Sequence, residues 1–214
     1  MRCAAVALLF FAAAAAAQQT SVRTTLHNLS ASGPGDIRST TETEICKFCH
    51  IPHHAVAPEP LWGHRLPQAQ YDVPSLARNA PSPQPDGSSR LCLSCHDGTV
   101  ALGDIGGKQP IAMGGTGRFS SGRRGYLGTD LSGSHPISFV VADDRAADAA
   151  ADIAVKPLAA IRADRQVRLD KNGKMQCTTC HDPHADPYYD PGRVPHFLVK
   201  PNTAELCLTC HELR

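Results

Sequence analysis

The chain of 214 residues has a formal net charge of +1 and is 5% aromatic, with a single tryptophan. This near-neutral balance lacks the basic surface that nucleic-acid binding requires, so we expect no nucleic-acid partner. Its 17 glycines and 17 prolines predict long loops and a thin core of side chains.

The first residues have the pattern of a secretory signal peptide. Met1 and Arg2 precede an apolar run over residues 4–17, and the last three residues of that run, 15–17, are alanines that suit a cleavage site. A basic start, a short apolar core and small residues at the exit are typical of a cleaved leader. Residues 1–17 are therefore predicted to be removed, and residues 18–214 to be exported to the periplasm or the cell exterior. No segment is long and apolar enough to predict a transmembrane span.

Short elements are predicted between the loops of the mature chain. Residues 39–42 have the composition of a helix N-cap and lead into a Cys-x-x-Cys-His sequence at residues 46–50. Residues 141–163, rich in alanine and aspartate, predict one or two short helices interrupted at Pro157. Residues 167–176, with Asn-Gly near their centre, predict a β-hairpin. The predicted fold class is mostly irregular coil with short α-helices and a small β-hairpin.

The Cys-x-x-Cys-His sequence occurs four times. Motif 1 is residues 46–50, motif 2 is residues 92–96, motif 3 is residues 177–181 and motif 4 is residues 207–211. The motifs contain every cysteine outside the predicted leader, namely Cys46, Cys49, Cys92, Cys95, Cys177, Cys180, Cys207 and Cys210. This spacing is the attachment sequence of c-type haem, in which both thiols become thioethers and the histidine reaches the iron from the same side. Four covalently attached c-type haems are therefore predicted.

Paired cysteines also occur in zinc ribbons, in redox-active dithiols and, in exported proteins, in disulfides. None of these requires a histidine directly after every pair, and only 11 of the 214 residues are histidine. The sequence therefore favours haem over zinc or disulfide bonds. Four haems would also supply the apolar core that the side chains lack, so the chain is expected to be largely unfolded without them.

More histidines are present than four irons need. The proximal ligands are predicted to be the motif histidines His50, His96, His181 and His211. A second protein ligand gives a six-coordinate haem suited to electron transfer, whereas an open position permits substrate chemistry. The predicted second ligands are His27, His53, His64, His135 and His184. Weaker candidates are His54, His196, Met113 and Met175.

The positions of His53 and His184 restrict which iron each of them can reach. Each lies three residues after a proximal histidine and directly after a proline, so it starts on the same side of its own haem. Each is therefore predicted to serve a neighbouring iron, which would hold two haems close together. His27, His64 and His135 lie in loops, from which ligands for the far face of a haem often come.

The motifs alternate in type. Motifs 1 and 3 share Cys-x-x-Cys-His-x-Pro-His, while motifs 2 and 4 share Leu-Cys-Leu followed by Ser or Thr and Cys-His. This order predicts a duplicated dihaem unit, with copies at about residues 18–140 and 141–214 within one tetrahaem domain.

The sequence resembles the doubled Cys-x-x-Cys-His cytochromes c. The segments that carry the resemblance are residues 27–30, 46–53, 60–64, 91–98, 135–137 and 177–184. In haem number and size the chain is similar to the four-haem extracellular cytochromes that form conductive filaments, of the outer-membrane cytochrome E type. The resemblance implies a haem-cored fold with bis-histidine haems. It also implies a homopolymer in which one iron takes its second histidine from the neighbouring subunit.

The sequence thus predicts an exported tetrahaem cytochrome that transfers electrons and catalyses no reaction. Its partners are expected to be redox proteins or an external electron acceptor, and its haem potentials to be low because methionine ligands are not needed. The alternative is a multihaem reductase with one open iron. The surplus of histidines argues against that alternative.

Overall fold

A computed structural model describes residues 21–57, 60–76, 82–115, 117–143 and 153–213. The predicted signal peptide lies outside these ranges. Within them, none of the helices has the length and apolar character needed to cross a membrane. Short 3-10 helices span Val22–Thr24 and Ile45–Phe48. The other elements are α1 (Gly87–His96), β1 (Ile153–Val155), α2 (Leu158–Ala163), α3 (Cys177–Cys180), α4 (Thr203–Cys210) and β2 (His211–Leu213).

The described residues have the predicted fold class, with much coil, short helices and a small two-stranded antiparallel sheet. The sheet is not a local hairpin. It pairs β1 with β2, and Val155 lies opposite His211. Because His211 is the last residue of motif 4, the sheet fixes the direction in which the chain leaves that motif. Pro157 directly precedes α2, so it starts a helix where the sequence predicted an interruption.

The predicted hairpin at residues 167–176 forms its turn but not its strand pairing. Gly173 donates its backbone N–H to Asp170 O at 2.9 Å, and its φ of +72° suits glycine. The chain after the turn pairs with residues 138–141 instead, where Met175 N donates to Phe139 O at 3.0 Å. The physical reason is burial, since this pairing places Met175 in an apolar cluster with Ile161.

Two small apolar clusters among the described residues each include a residue of a motif helix. One contains Val141, Ile161, Val167 and Met175 together with Cys210 of motif 4. The other contains Tyr71, Leu93 and Leu131, and Leu93 lies between the cysteines of motif 2. Each fully buried aliphatic side chain stabilises the fold by about 1.5–3 kcal/mol. The apolar clusters thus hold the motif helices in place.

A buried polar network joins the two predicted halves of the chain. Its centre is Gln176, which is 1% exposed. The Gln176 carbonyl oxygen accepts hydrogen bonds from Ser89 Oγ at 2.6 Å and from Ser138 Oγ at 3.2 Å, while its amide donates to Asp86 at 3.0 Å. Lys174 forms an ion pair with Asp86. These contacts hold the start of α1 against the start of α3, so motifs 2 and 3 are neighbours.

Replacing Gln176 with alanine is expected to destabilise the protein by about 3 kcal/mol, because several buried polar partners would lose their hydrogen bonds. The melting temperature of the haem-loaded protein should fall by roughly 5–10 °C. The exposed Gln109 provides a matched control, and Gln109→Ala is expected to leave the melting temperature nearly unchanged. Equal melting temperatures for the two variants would contradict the role given to Gln176.

Candidate haem-binding sites

Each motif begins in a helical turn and ends at its histidine. His50 N donates to Cys46 O at 2.8 Å in motif 1, and His181 N donates to Cys177 O at 3.0 Å in motif 3. Motifs 2 and 4 form the ends of α1 and α4. One helical turn brings residues three apart onto one side, so both thiols of a motif lie together. All eight cysteines of the motifs are unpaired thiols, and none forms a disulfide within the described residues.

Three motif histidines face a second histidine at nearly the same distance. The ring centroids are 6.1 Å apart for His50 and His184, in motif 1. They are 6.0 Å apart for His96 and His27, in motif 2, and 6.2 Å apart for His211 and His135, in motif 4. In each pair the second ring comes from a distant part of the chain.

This separation fits an iron held between two imidazoles. A metal–histidine nitrogen bond is about 2.0–2.1 Å long, and the centre of the ring lies roughly 1 Å behind that nitrogen. Two rings bound to opposite faces of one metal therefore have centroids roughly 6 Å apart. The three histidine pairs match this value, so their residues fit a haem iron with a histidine on each face.

Backbone carbonyls orient most of these rings through Nδ1. Because a carbonyl only accepts hydrogen bonds, the Nδ1 facing it carries the proton, and the Nε2 lone pair remains for a metal. The Nδ1–O distances are 2.7 Å from His50 to Pro60, 2.8 Å from His96 to Gly125, 3.2 Å from His181 to His196, 3.1 Å from His27 to Pro183 and 2.8 Å from His135 to Pro136. The same arrangement increases the basicity of a metal-bound imidazole.

His27 is the ring with the most strongly shifted pKa. Burial disfavours its charged form and, with smaller contributions from the nearby His96 and His184, lowers its pKa to about 4, although the Pro183 carbonyl acts in the opposite direction. Its ring stacks on Phe197 with centroids 4.1 Å apart. The neutral ring is the form that binds metals, so the surroundings of His27 favour a ligand.

The structure does not bring every predicted ligand to a motif histidine. His53 is exposed, and within the described ranges its ring contacts no motif histidine. His64 is fully buried, and its two ring nitrogens face carbonyls, Arg65 O at 3.1 Å and Ala101 O at 3.0 Å. Burial lowers the pKa of His64. The assignment of His53 and His64 as iron ligands stays a prediction.

Several neighbours of the paired rings were not identified from the sequence. Phe197 stacks on His27, and the Phe119 ring lies 5.3 Å from that of His96. The carbonyls of Pro60 and Gly125 accept from motif histidines. The position of Phe119, an aromatic residue within a glycine-rich loop, could have indicated its role from the sequence. Backbone acceptors leave no such pattern, because any residue supplies a carbonyl.

Thiols of successive motifs lie close to one another. Hydrogen bonding between Cys92 of motif 2 and Cys177 of motif 3 raises the pKa of Cys92 and lowers that of Cys177. Burial, then the proximity of Cys49, raises the pKa of Cys95 to about 12. Burial, then the proximity of motif 4, raises the pKa of Cys180 to about 11. Motif 3 therefore adjoins motifs 2 and 4, and His184, three residues after motif 3, faces His50 of motif 1.

Within the described ranges no group of three or more His, Cys, Asp or Glu side chains converges on one point as ligands of a bare metal ion. A family model described as "Doubled CXXCH motif" matches residues 171–213, which include motifs 3 and 4. No curated protein matches the chain. The match to this model supports a multihaem cytochrome of the c type, and the Cys-x-x-Cys-His motifs indicate covalently bound c-type haem.

Proposed function

We propose that this protein is an exported tetrahaem c-type cytochrome that transfers electrons to redox partner proteins or to an external acceptor. The observation that carries the proposal is the set of three histidine pairs with centroids 6.0, 6.1 and 6.2 Å apart. Each pair would complete six-coordinate ligation at its motif, and such ligation suits electron transfer rather than substrate binding.

When bound, haem c supplies a one-electron couple at its iron. The chain's own residues determine where each iron is held and what its reduction potential is. Two imidazole ligands, with Nδ1 of most rings bonded to a carbonyl, favour a low potential, because no methionine ligand raises it. A redox titration should therefore find most of the haems at low potential. A titration in which all four haems are strongly positive would contradict this expectation.

The packing of the motifs supports electron transfer within the chain. Ser89 Oγ accepts a hydrogen bond from Cys177 N at 3.0 Å, and Ser88 and Thr178 are hydrogen-bonded at 2.7 Å. These contacts hold α1 directly against α3. Haems attached at adjoining motifs would be close neighbours, and short separations favour rapid transfer between cofactors.

The haem content of the purified protein tests the proposal. We expect four covalently attached haems per chain, counted by the pyridine haemochrome assay and by the mass of the intact protein. The oxidised protein should show mainly low-spin haem absorption. A colourless protein, or one that loses its haem in acidified organic solvent, would contradict the proposal.

Assembly into a filament is a further part of the proposed function. It is supported by the resemblance of the sequence to filament-forming four-haem cytochromes. Electron microscopy of the haem-loaded protein tests it, with filaments as the expected result. A protein that stays monomeric at high concentration would instead support a diffusing electron carrier.

A further inference from the structure

The residue that directly follows the motif histidine differs among the four motifs. It is Ile51 after motif 1, Asp97 after motif 2, Asp182 after motif 3 and Glu212 after motif 4. Asp182 and Glu212 are exposed, whereas Asp97 is only 2% exposed. Motif 2 is therefore the motif whose histidine is followed by a buried carboxylate.

The Asp97 carboxylate is held in one position by hydrogen bonds to both of its oxygens. Its Oδ2 accepts from the Tyr71 hydroxyl at 2.6 Å, and its Oδ1 accepts from Thr99 N at 2.7 Å and from Thr99 Oγ1 at 2.9 Å. The backbone of Tyr71 is fixed in turn by the Gln84 amide, which donates to Tyr71 O and accepts from Tyr71 N, both at 2.8 Å. Because these hydroxyls and the Thr99 N–H all donate to Asp97, its surroundings suit the ionised carboxylate.

Helix stability does not account for the position of this charge. Asp97 lies at the C-terminal end of α1, where the helix dipole disfavours a negative charge. Within the described ranges no lysine or arginine side chain forms an ion pair with Asp97, and Arg118 donates to the backbone carbonyl of Thr99. The hydrogen-bond donors on the carboxylate are neutral groups, which stabilise its charge without cancelling it.

The charge of Asp97 acts on the residues that attach the haem at motif 2. Burial, then the proximity of Cys49, raises the pKa of the Cys95 thiol to about 12, and the negative charge of Asp97 contributes in the same direction. A negative charge stabilises ferric iron over ferrous iron, because the ferric form carries one more positive charge, and burial strengthens this interaction. The reduction potential at motif 2 should therefore depend on this carboxylate.

We propose that Asp97 lowers the reduction potential of the haem at motif 2 through its buried negative charge. This inference rests on the proposed function, because it requires a haem at motif 2. An electron at motif 2 is held less tightly than it would be without Asp97, which favours its transfer to the haem of a neighbouring motif.

The variant Asp97→Asn tests the inference, because it removes the charge and keeps the size of the side chain. The asparagine oxygen can accept from Thr99 N, and its amide can donate to the Tyr71 hydroxyl, which rotates to accept. A redox titration of the four-haem protein should find the affinity of one haem for an electron raised about tenfold, or about 59 mV, with the other three unchanged. Asp97→Ser removes the same charge with a smaller side chain and is titrated alongside.

Two further variants serve as controls. Asp130→Asn is the matched change, because Asp130 accepts from Ser132 N and Ser132 Oγ as Asp97 does from Thr99, but is exposed. Solvent screens its charge, so all four potentials should stay unchanged. Tyr71→Phe keeps the carboxylate and removes one hydrogen bond, so it should lower the melting temperature without raising any haem potential.

The His27→Met variant identifies the haem that responds. A methionine ligand raises the potential of its iron, so in the double variant with Asp97→Asn both shifts should fall on the same step of the titration. Shifts on different steps would overturn the assignment to motif 2.

The outcomes separate this inference from the proposed function. Unshifted potentials in both Asp97 variants, or loss of haem from both, would overturn the inference and leave the proposed function standing, since loss of haem would indicate a structural role. An unsubstituted protein with fewer than four haems would overturn the proposed function.

Discussion

Replacing His184 with alanine is expected to open the iron at motif 1, although His184 belongs to the segment that directly follows motif 3. The reason is that its ring faces His50 with centroids 6.1 Å apart and planes inclined by 13°. The total haem count should remain at four, because no cysteine is changed. One low-spin haem should become high-spin. The reduced monomer of the variant should bind one more carbon monoxide per chain than the unsubstituted protein does.

The assignment to motif 1 can be tested by adding a second substitution. His50→Met in the His184→Ala background should shift the iron–carbon vibration of the additional carbon monoxide complex, measured by resonance Raman spectroscopy. His53→Ala is the matched comparison, because His53 occupies the corresponding position after motif 1. Among the described residues, no motif histidine has its ring in contact with that of His53. A newly opened iron in His53→Ala, with none in His184→Ala, would support the sequence-based role of His53 and contradict the structural one.

Removing the thiols of motif 3 is expected to damage the protein more than removing those of motif 4. The double substitution Cys177→Ala and Cys180→Ala should leave three haems, lowering the haem absorbance by about a quarter. It should also reduce the yield of folded protein several-fold, because the missing haem is the one whose attachment thiols adjoin both Cys92 of motif 2 and the thiols of motif 4.

The matched comparison is the double substitution Cys207→Ala and Cys210→Ala. It should also leave three haems, counted by intact mass, but with a higher yield, because motif 4 packs mainly on α2 and β1. Equal yields and equal melting temperatures for the two double variants would show that motif 3 has no central structural role.

The local features of the fold could be predicted from the sequence, and the long-range ones could not. The Asn-Gly turn before Lys174 formed because its geometry depends on adjacent residues. The chain after this turn pairs with residues 138–141, because that pairing buries Met175. Similarly, Cys-x-x-Cys-His spacing determines how thiols and histidine lie within one motif, since all of them share one helical turn.

The pairing of the histidines likewise could not be predicted from local sequence alone. Spacing excluded His184 from the far side of its own motif's haem, but only the path of the chain places it opposite His50. His64 has a sequence context similar to that of His27, namely a loop near turn-forming residues. The structure gives the two rings different surroundings, because the carbonyl of Ala101 occupies Nε2 of His64. Competition between a metal and a backbone carbonyl for one nitrogen depends on tertiary contacts.

The crossed histidine pairs have a consequence for the order in which the haem sites can be completed as the chain emerges from its N-terminus. The ring that faces motif 2 is His27, which is synthesised before that motif, so this site can close as soon as His96 appears. The site of motif 1 has to wait for His184, which is made only after motifs 2 and 3. Motif 4 emerges last, yet its partner His135 is already present. The order of completion is therefore expected to differ from the order of the motifs, and motif 1 would remain exposed to unwanted ligands and oxidation for longer than motif 2.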